Sequence, residues 1–130
     1  MNVYEQLRML MQGYARAADD RDIGRLTELF HPKAKIDGAR GTQLFNEWIE
    51  TMKAPRTFPI SMHVLGDPLI ELAATSDRAT LDTYAVVYQL SDPGSGGGDL
   101  TLGIRYLDEV VRYEGRWVIE RRQAKTLWMR

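Results

Sequence analysis

Tyr14, Asp19 and His63 bring a phenol, a carboxylate and an imidazole to a chain with few other reactive side chains. There is no cysteine, which excludes disulfides, thiolate nucleophiles and cysteine–zinc sites together. With only His31 and His63, a histidine-rich metal cluster is excluded as well. What remains suffices for acid–base chemistry on a small organic molecule, provided the fold gathers the three groups. Each also has a structural reading. Tyr14 could be a core tyrosine, Asp19 a helix terminator and His63 a sheet histidine. His31, beside Pro32, reads as a surface or capping residue.

The elements that must position them follow from spacing. Val3, Leu7, Leu10, Met11, Tyr14 and Ala18 recur every three or four residues and predict an amphipathic helix, interrupted by Asp19-Asp20-Arg21-Asp22. Asp22 is a natural cap for a short helix through Ile23, Leu26, Leu29 and Phe30, which Pro32 ends. Ala34 to Asp37 reads as a short strand. Thr42 is placed to cap a third helix carrying Phe45, Trp48, Ile49 and Met52, and Pro55 and Pro59 bracket a loop. From Ile60 the pattern turns to β. Ser61 to Leu72 is one run bent at Gly66-Asp67-Pro68, and Arg78 to Leu90 is a long strand. After a glycine-rich connection, Leu100 to Tyr113 and Arg116 to Trp128 form a hairpin about Glu114-Gly115. Helices followed by antiparallel strands predict one α+β domain over residues 1–130. In it a curved, mostly antiparallel sheet is wrapped by N-terminal helices into a cone-shaped α+β barrel about a central pocket.

A net charge of -1 without basic blocks argues against a nucleic-acid partner. Neither a leader segment nor a membrane-length apolar stretch is visible, so the expectation is a cytoplasmic protein with no membrane partner.

Three groups of residues, in order, resemble the SnoaL-like branch of the nuclear transport factor 2-like superfamily. The first is the run from Tyr14 to Asp22 with Leu26, Leu29-Phe30-His31-Pro32 and Ala34. The second is Met62-His63-Val64-Leu65-Gly66-Asp67-Pro68 with Ile70. The third comprises Gly103, Tyr106, Asp108, Arg112, Gly115-Arg116-Trp117, Ile119, Arg121 and Arg122. The site pattern is similar to that of the scytalone dehydratase, bile acid 7α-dehydratase and hexachlorocyclohexane dehydrochlorinase group. Those enzymes pair an aspartate after the first helix with a sheet histidine, often with a tyrosine five residues before the aspartate. The ketosteroid isomerase branch is similar around Tyr14, Phe30 and Ala34, but its base would fall where this chain has Asp37-Gly38, in a displaced register.

The resemblance implies a cofactor-independent lyase of the dehydratase type, with Tyr14, Asp19 and His63 catalytic. An isomerase, a cyclase or a non-catalytic small-ligand-binding module are the alternatives. His63 would act as base, Asp19 would fix its tautomer, and Tyr14 would donate to a carbonyl oxygen or a departing hydroxyl. Neither cofactor nor metal is needed for that step. A C-terminal arginine completes the pattern and is either Arg121 or Arg122. Phe45, Trp48, Met52, Phe58, Tyr84, Tyr88 and Tyr106 are the candidates to line an apolar pocket for a steroid-, polyketide- or terpenoid-like substrate. The expected assembly is a homo-oligomer, trimeric as in the dehydratase group or dimeric as in the isomerase group. Five helical residues turn through about 500°, so Tyr14 and Asp19 would point about 140° apart unless the helix stops before Asp19. The acidic cluster implies that it does.

Overall fold

The first helix does not stop there. In the computed structural model, which describes residues 1–130, α1 spans Val3–Asp20. The Asn2 side chain accepts from the Glu5 N–H at 2.9 Å to start it. Leu7, Leu10, Met11, Tyr14, Ala17 and Ala18 form its buried face. The end comes at Arg21, whose left-handed backbone (φ 53°) turns its N–H back onto the Ala17 and Ala18 carbonyls. Asp19 therefore lies in the last helical turn. Asp22 caps α2 (Ile23–Leu29) by accepting from the Arg25 N–H at 3.0 Å, as its position predicts.

β1 (Phe30–Gly38) begins at Phe30 rather than Ala34 and carries Pro32 within it. The ladder to its neighbour is irregular between Phe30 and Lys35, where the proline has no N–H to offer. β2 (Gly41–Leu44) takes up Thr42, whose hydroxyl donates to Asp37 at 2.6 Å instead of capping a helix. The third helix, α3 (Phe45–Lys53), starts beyond it. Glu47 accepts from the Leu44 N–H at 3.2 Å at that start. The bent run resolves into β3 (Ile60–Leu65) and β4 (Leu69–Leu72), both antiparallel to β5 (Arg78–Leu90). β6 (Leu100–Tyr113) and β7 (Arg116–Met129) close the chain, joined where Glu114 and Gly115 both take positive φ.

The strand order is β2-β1-β7-β6-β5-β3, with β4 also on β5. All pairs are antiparallel except β1 with β7. The edge strands β2 and β3 do not meet, so the sheet is a curved, open wrap around the helices rather than a closed barrel. Alternation sorts its two faces. On β5, Ala79, Leu81, Thr83, Ala85 and Val87 are buried against the helices, while Tyr84 and Tyr88 point outward. The register carries this across neighbouring strands. Ser61 and His63 pair with Gln89 and Val87, Thr83 with Tyr106, Leu81 with Asp108, and Asp108 with Arg122, all on the inner face. No helix is long and apolar enough to cross a membrane.

The core is one cluster in which Leu7, Leu10, Leu26, Leu29 and Phe30 meet Leu81, Val110, Trp117 and Ile119. Each such side chain contributes about 1.5–3 kcal/mol through burial. The outer sheet face is different. It exposes Ile60, Met62, Val64, Tyr84 and Trp128, each more than 40% accessible.

Candidate acid–base site

Sheet curvature settles how two side chains about 140° apart on one helix meet a single histidine. β3, the edge strand, packs along α1, so His63 falls between the direction of Tyr14 and that of Asp19. The His63 ring stands edge-on to the Tyr14 ring (5.9 Å between centroids, 84° between planes). Its Nδ1 lies 2.5 Å from Asp19 Oδ1. The strand fastens the carboxylate further. The backbone N–H of His63 donates to Asp19 Oδ2 at 2.8 Å, and the Ser61 hydroxyl donates to Oδ1 at 2.9 Å. Ser61 and His63 are two apart on one strand face, so both reach the same helix end. Arg56 Nη1 donates to the Asp19 carbonyl at 2.9 Å, tying the loop after α3 to this turn.

A carboxylate has only acceptors to offer, so the short contact assigns the ring proton to Nδ1 and leaves Nε2 with a free lone pair. Burial lowers the His63 pKa below its ordinary value; Asp19 opposes that shift, and the Arg122 and Arg21 cations reinforce it. The imidazole is therefore neutral at pH 7, the state a base requires.

Tyr14, 6% exposed, packs edge-on against Phe30 (6.0 Å) and Tyr106 (5.7 Å). The Arg122 guanidinium lies between two tyrosines, 3.9 Å from the Tyr14 ring centre and 4.2 Å from that of Tyr106. Asp108 holds it from behind with two bonds of 2.8 and 3.1 Å. Burial works against the Arg122 charge, but Asp108, aided by Tyr14 and Tyr106, overcomes it and lifts the guanidinium above its ordinary pKa. Burial, then the neighbouring Tyr14, holds the Tyr106 hydroxyl well above the usual tyrosine range.

Alternation on β7 separates the two arginines. Arg122 faces the helices beside Tyr14, whereas Arg121 lies on the outer face and donates to Asp37 at 2.9 Å. That bond and the one from Thr42 occupy Asp37 on the far side of the sheet from His63. Tyr84 and Tyr88 are likewise outside. Phe45 and Trp48 stack on Phe30 (5.3 and 5.1 Å), one layer behind the Tyr14 ring. Met52 accepts a hydrogen bond from Arg21 at 2.8 Å, and Phe58 lines a cavity of about 210 Å³ that also borders Arg21 and Ser61. This cavity is mostly polar, unlike the apolar pocket the sequence leads one to expect. A larger depression of about 420 Å³ lies among Glu71, Asp82, Glu109 and Arg121, away from His63.

Sequence reasoning passed over Ser61, Arg56 and Arg21. The Ser-x-His spacing on one strand face was the available signal for Ser61. Nothing local marks the other two, because their roles depend on the docking of the α3 loop.

No curated protein is significantly similar to the chain in sequence. Solved structures share the fold closely. A protein provisionally assigned as a scytalone dehydratase, from Novosphingobium aromaticivorans DSM 12444, matches with TM-score 0.83 at 17% identity, over 97% of this chain and 85% of that one. Hexachlorocyclohexane dehydrochlorinase LinA-type3 from Novosphingobium barchaimii LL02 matches at 0.81 and 16%, over 97% and 87%. A nuclear transport factor 2-like superfamily protein from Salmonella enterica subsp. enterica serovar Typhimurium str. LT2 matches at 0.80 and 16%, over 95% and 90%. At these identities the likeness is one of fold, a scaffold shared with lyase-type enzymes. The family model of the SnoaL-like domain matches residues 1–123. The chain belongs to the SnoaL-like family.

Proposed function

We propose that the protein is a cofactor-independent lyase of the dehydratase type, acting on a small hydrophobic carbonyl or hydroxyl compound. The Asp19–His63 contact carries this reading, because it fixes Nδ1–H and presents a neutral Nε2 as base. In the reaction, Nε2 takes a proton from carbon next to a carbonyl. The carbon–hydrogen electron pair becomes an enolate, and its collapse expels a β-hydroxyl. The Tyr14 hydroxyl donates to the oxygen on which charge develops, and the imidazolium returns its proton to the departing group as water forms. Isomerisation and ring closure begin with the same abstraction, so the product distinguishes them.

The test is deuterium exchange at carbon next to a carbonyl, followed by NMR in D2O over a panel of β-hydroxy carbonyl compounds. Wild type is expected to exchange at least one of them, and His63→Gln none. Equal rates for the two proteins across the panel would sink the proposal.

The pH dependence has a definite sign. A lowered folded-state pKa keeps His63 neutral below the ordinary value of about 6.5. Activity is therefore expected to hold through pH 7 and to fall on an acid limb lying below that value. Its contribution to stability is present above about pH 6.5 and is lost as pH falls through the lower native value. An acid limb centred above 6.5 would refute the assignment.

We also propose a homo-oligomer through the outer sheet face, because Met62, Val64, Tyr84 and Trp128 expose apolar side chains on that one face, the kind of surface that marks an interaction site. Light scattering should give a dimer or trimer mass, reduced by Tyr84→Glu. A monomeric wild type would rule it out.

A further inference from the structure

We propose that the cavity beside Ser61, next to the Asp19–His63 pair, binds an anionic oxygen group of the substrate, a carboxylate or a phosphoryl, through Arg21 and Arg40, with the Arg56 cation behind its wall. This rests on the acid–base reading of the neighbouring pair and narrows its substrate class to organic acids with an apolar remainder.

The cavity, about 210 Å³, is walled by the end of α1, the β1–β2 turn, the loop after α3, and the inner face of β3 and β5. Arg21 and Arg40 line it together with the side chains of Thr57, Phe58, Ser61 and Gln89. No carboxylate does. Arg21 has spent Nη1 on the Met52 sulfur, a weak acceptor, and its Nε is buried without a partner. Arg56 gives Nε to the Phe58 carbonyl at 3.1 Å and Nη1 to the Asp19 carbonyl, leaving Nη2 buried and unpartnered. Arg40 makes no ion pair.

Most nearby carboxylates are engaged elsewhere, and none lines the cavity. Asp19 is taken up by Ser61 and by His63, Asp22 by the Arg25 N–H, Asp37 by Thr42 and Arg121, and Glu50 by Lys53. A guanidinium whose N–H is buried without an acceptor costs free energy that an oxyanion would restore with charge-assisted bonds. Burial, then the charge of Arg56, lowers the Arg21 pKa, as expected of cations crowded together. Two guanidinium groups on the wall of one small cavity that no carboxylate lines suit an anionic oxygen group better than a neutral one.

Placement ties the cavity to the chemistry. Ser61 lines it and donates to the same Asp19 oxygen that holds His63. An acid group seated here lies against Ser61, two residues along β3 from His63, while Phe58 offers an apolar contact.

Backbone amide NMR titration tests this with benzoate, phenyl phosphate and the neutral control benzyl alcohol. At least one anion is expected to saturate with shifts at Arg21, Arg56 and Ser61, and benzyl alcohol to bind about tenfold more weakly or worse, the scale of one charge-assisted bond. Arg40→Gln, on an exposed turn, and Arg21→Gln should each weaken the anion, and their combination by about tenfold or more. Equal affinity for benzyl alcohol, shifts confined to another face, no saturation by either anion, or full affinity in the double variant would each overturn it. The titration needs no turnover. Anion binding retained in a protein without exchange activity would leave this site standing and remove the lyase reading. Exchange of neutral compounds without anion preference would do the reverse.

Discussion

Replacing Asp108 by alanine is expected to lower the unfolding free energy by about 3–5 kcal/mol, the cost of stranding a buried charge. Arg122 is 2% exposed and the Asp108 side chain is fully covered, so water cannot take the place of the lost carboxylate. The remaining surroundings of the guanidinium are two tyrosine faces, Phe30 and the Met11 sulfur, none of which accepts two strong hydrogen bonds. Nη1 already has no partner, and the variant would orphan Nε and leave Nη2 only the Met11 sulfur at 3.7 Å. Urea denaturation supplies the number. The matching control is Asp37→Ala, which breaks a half-exposed pair with Arg121 and should cost no more than about 1 kcal/mol. Similar losses in both variants would show that Arg122 relaxes to solvent and that its place between Tyr14 and Tyr106 is not fixed by Asp108. Because that guanidinium also lies against the Tyr14 ring, loss of its anchor should loosen the site before the protein unfolds.

The order of elements was legible because turn chemistry and periodicity agree along the chain. Asp22 caps, Gly66-Asp67-Pro68 bends and Glu114-Gly115 turns where their residue types require. Two features were not legible, for physical reasons. The acidic residues predict a helix stop before Asp19, but the αL turn at Arg21 decides it, and a non-glycine residue gives little warning of that conformation. Helix spacing alone predicts that Tyr14 and Asp19 diverge, and it is the sheet that brings one histidine to both. A curved edge strand approaches α1 from the side that Asp19 faces. Face assignment on the long strands shows a further limit. Alternation dictates that Arg121 and Arg122 point to opposite sides, and that Tyr84 and Tyr88 share one. Which side is inner follows only from the register with β5 and β6. Arg21 and Arg56 belong to neither pattern, since a loop and a helix end come together only in three dimensions.

Asp19→Asn should cost about 10²–10⁴ in kcat on any substrate the protein turns over, the range for losing one acid–base function. The substitution keeps size and removes charge. An amide turned with its oxygen to Nδ1 still orders the ring, but its NH2 then faces the His63 backbone N–H that Oδ2 now accepts. Flipped the other way, the NH2 meets Nδ1 and draws the ring proton to Nε2, which disables the base. The first orientation sets donor against donor and the second forces the other tautomer, so a stability loss of about 1–3 kcal/mol is expected where the first prevails. Losing the carboxylate also removes the contribution that opposes burial at His63, so its pKa should fall further. The acid limb of the activity profile would then move to lower pH while the plateau drops. That pairing separates the two roles of Asp19. A lower plateau with an unmoved limb would mean that the aspartate only braces β3 against α1. An unchanged kcat would mean that His63 works without it.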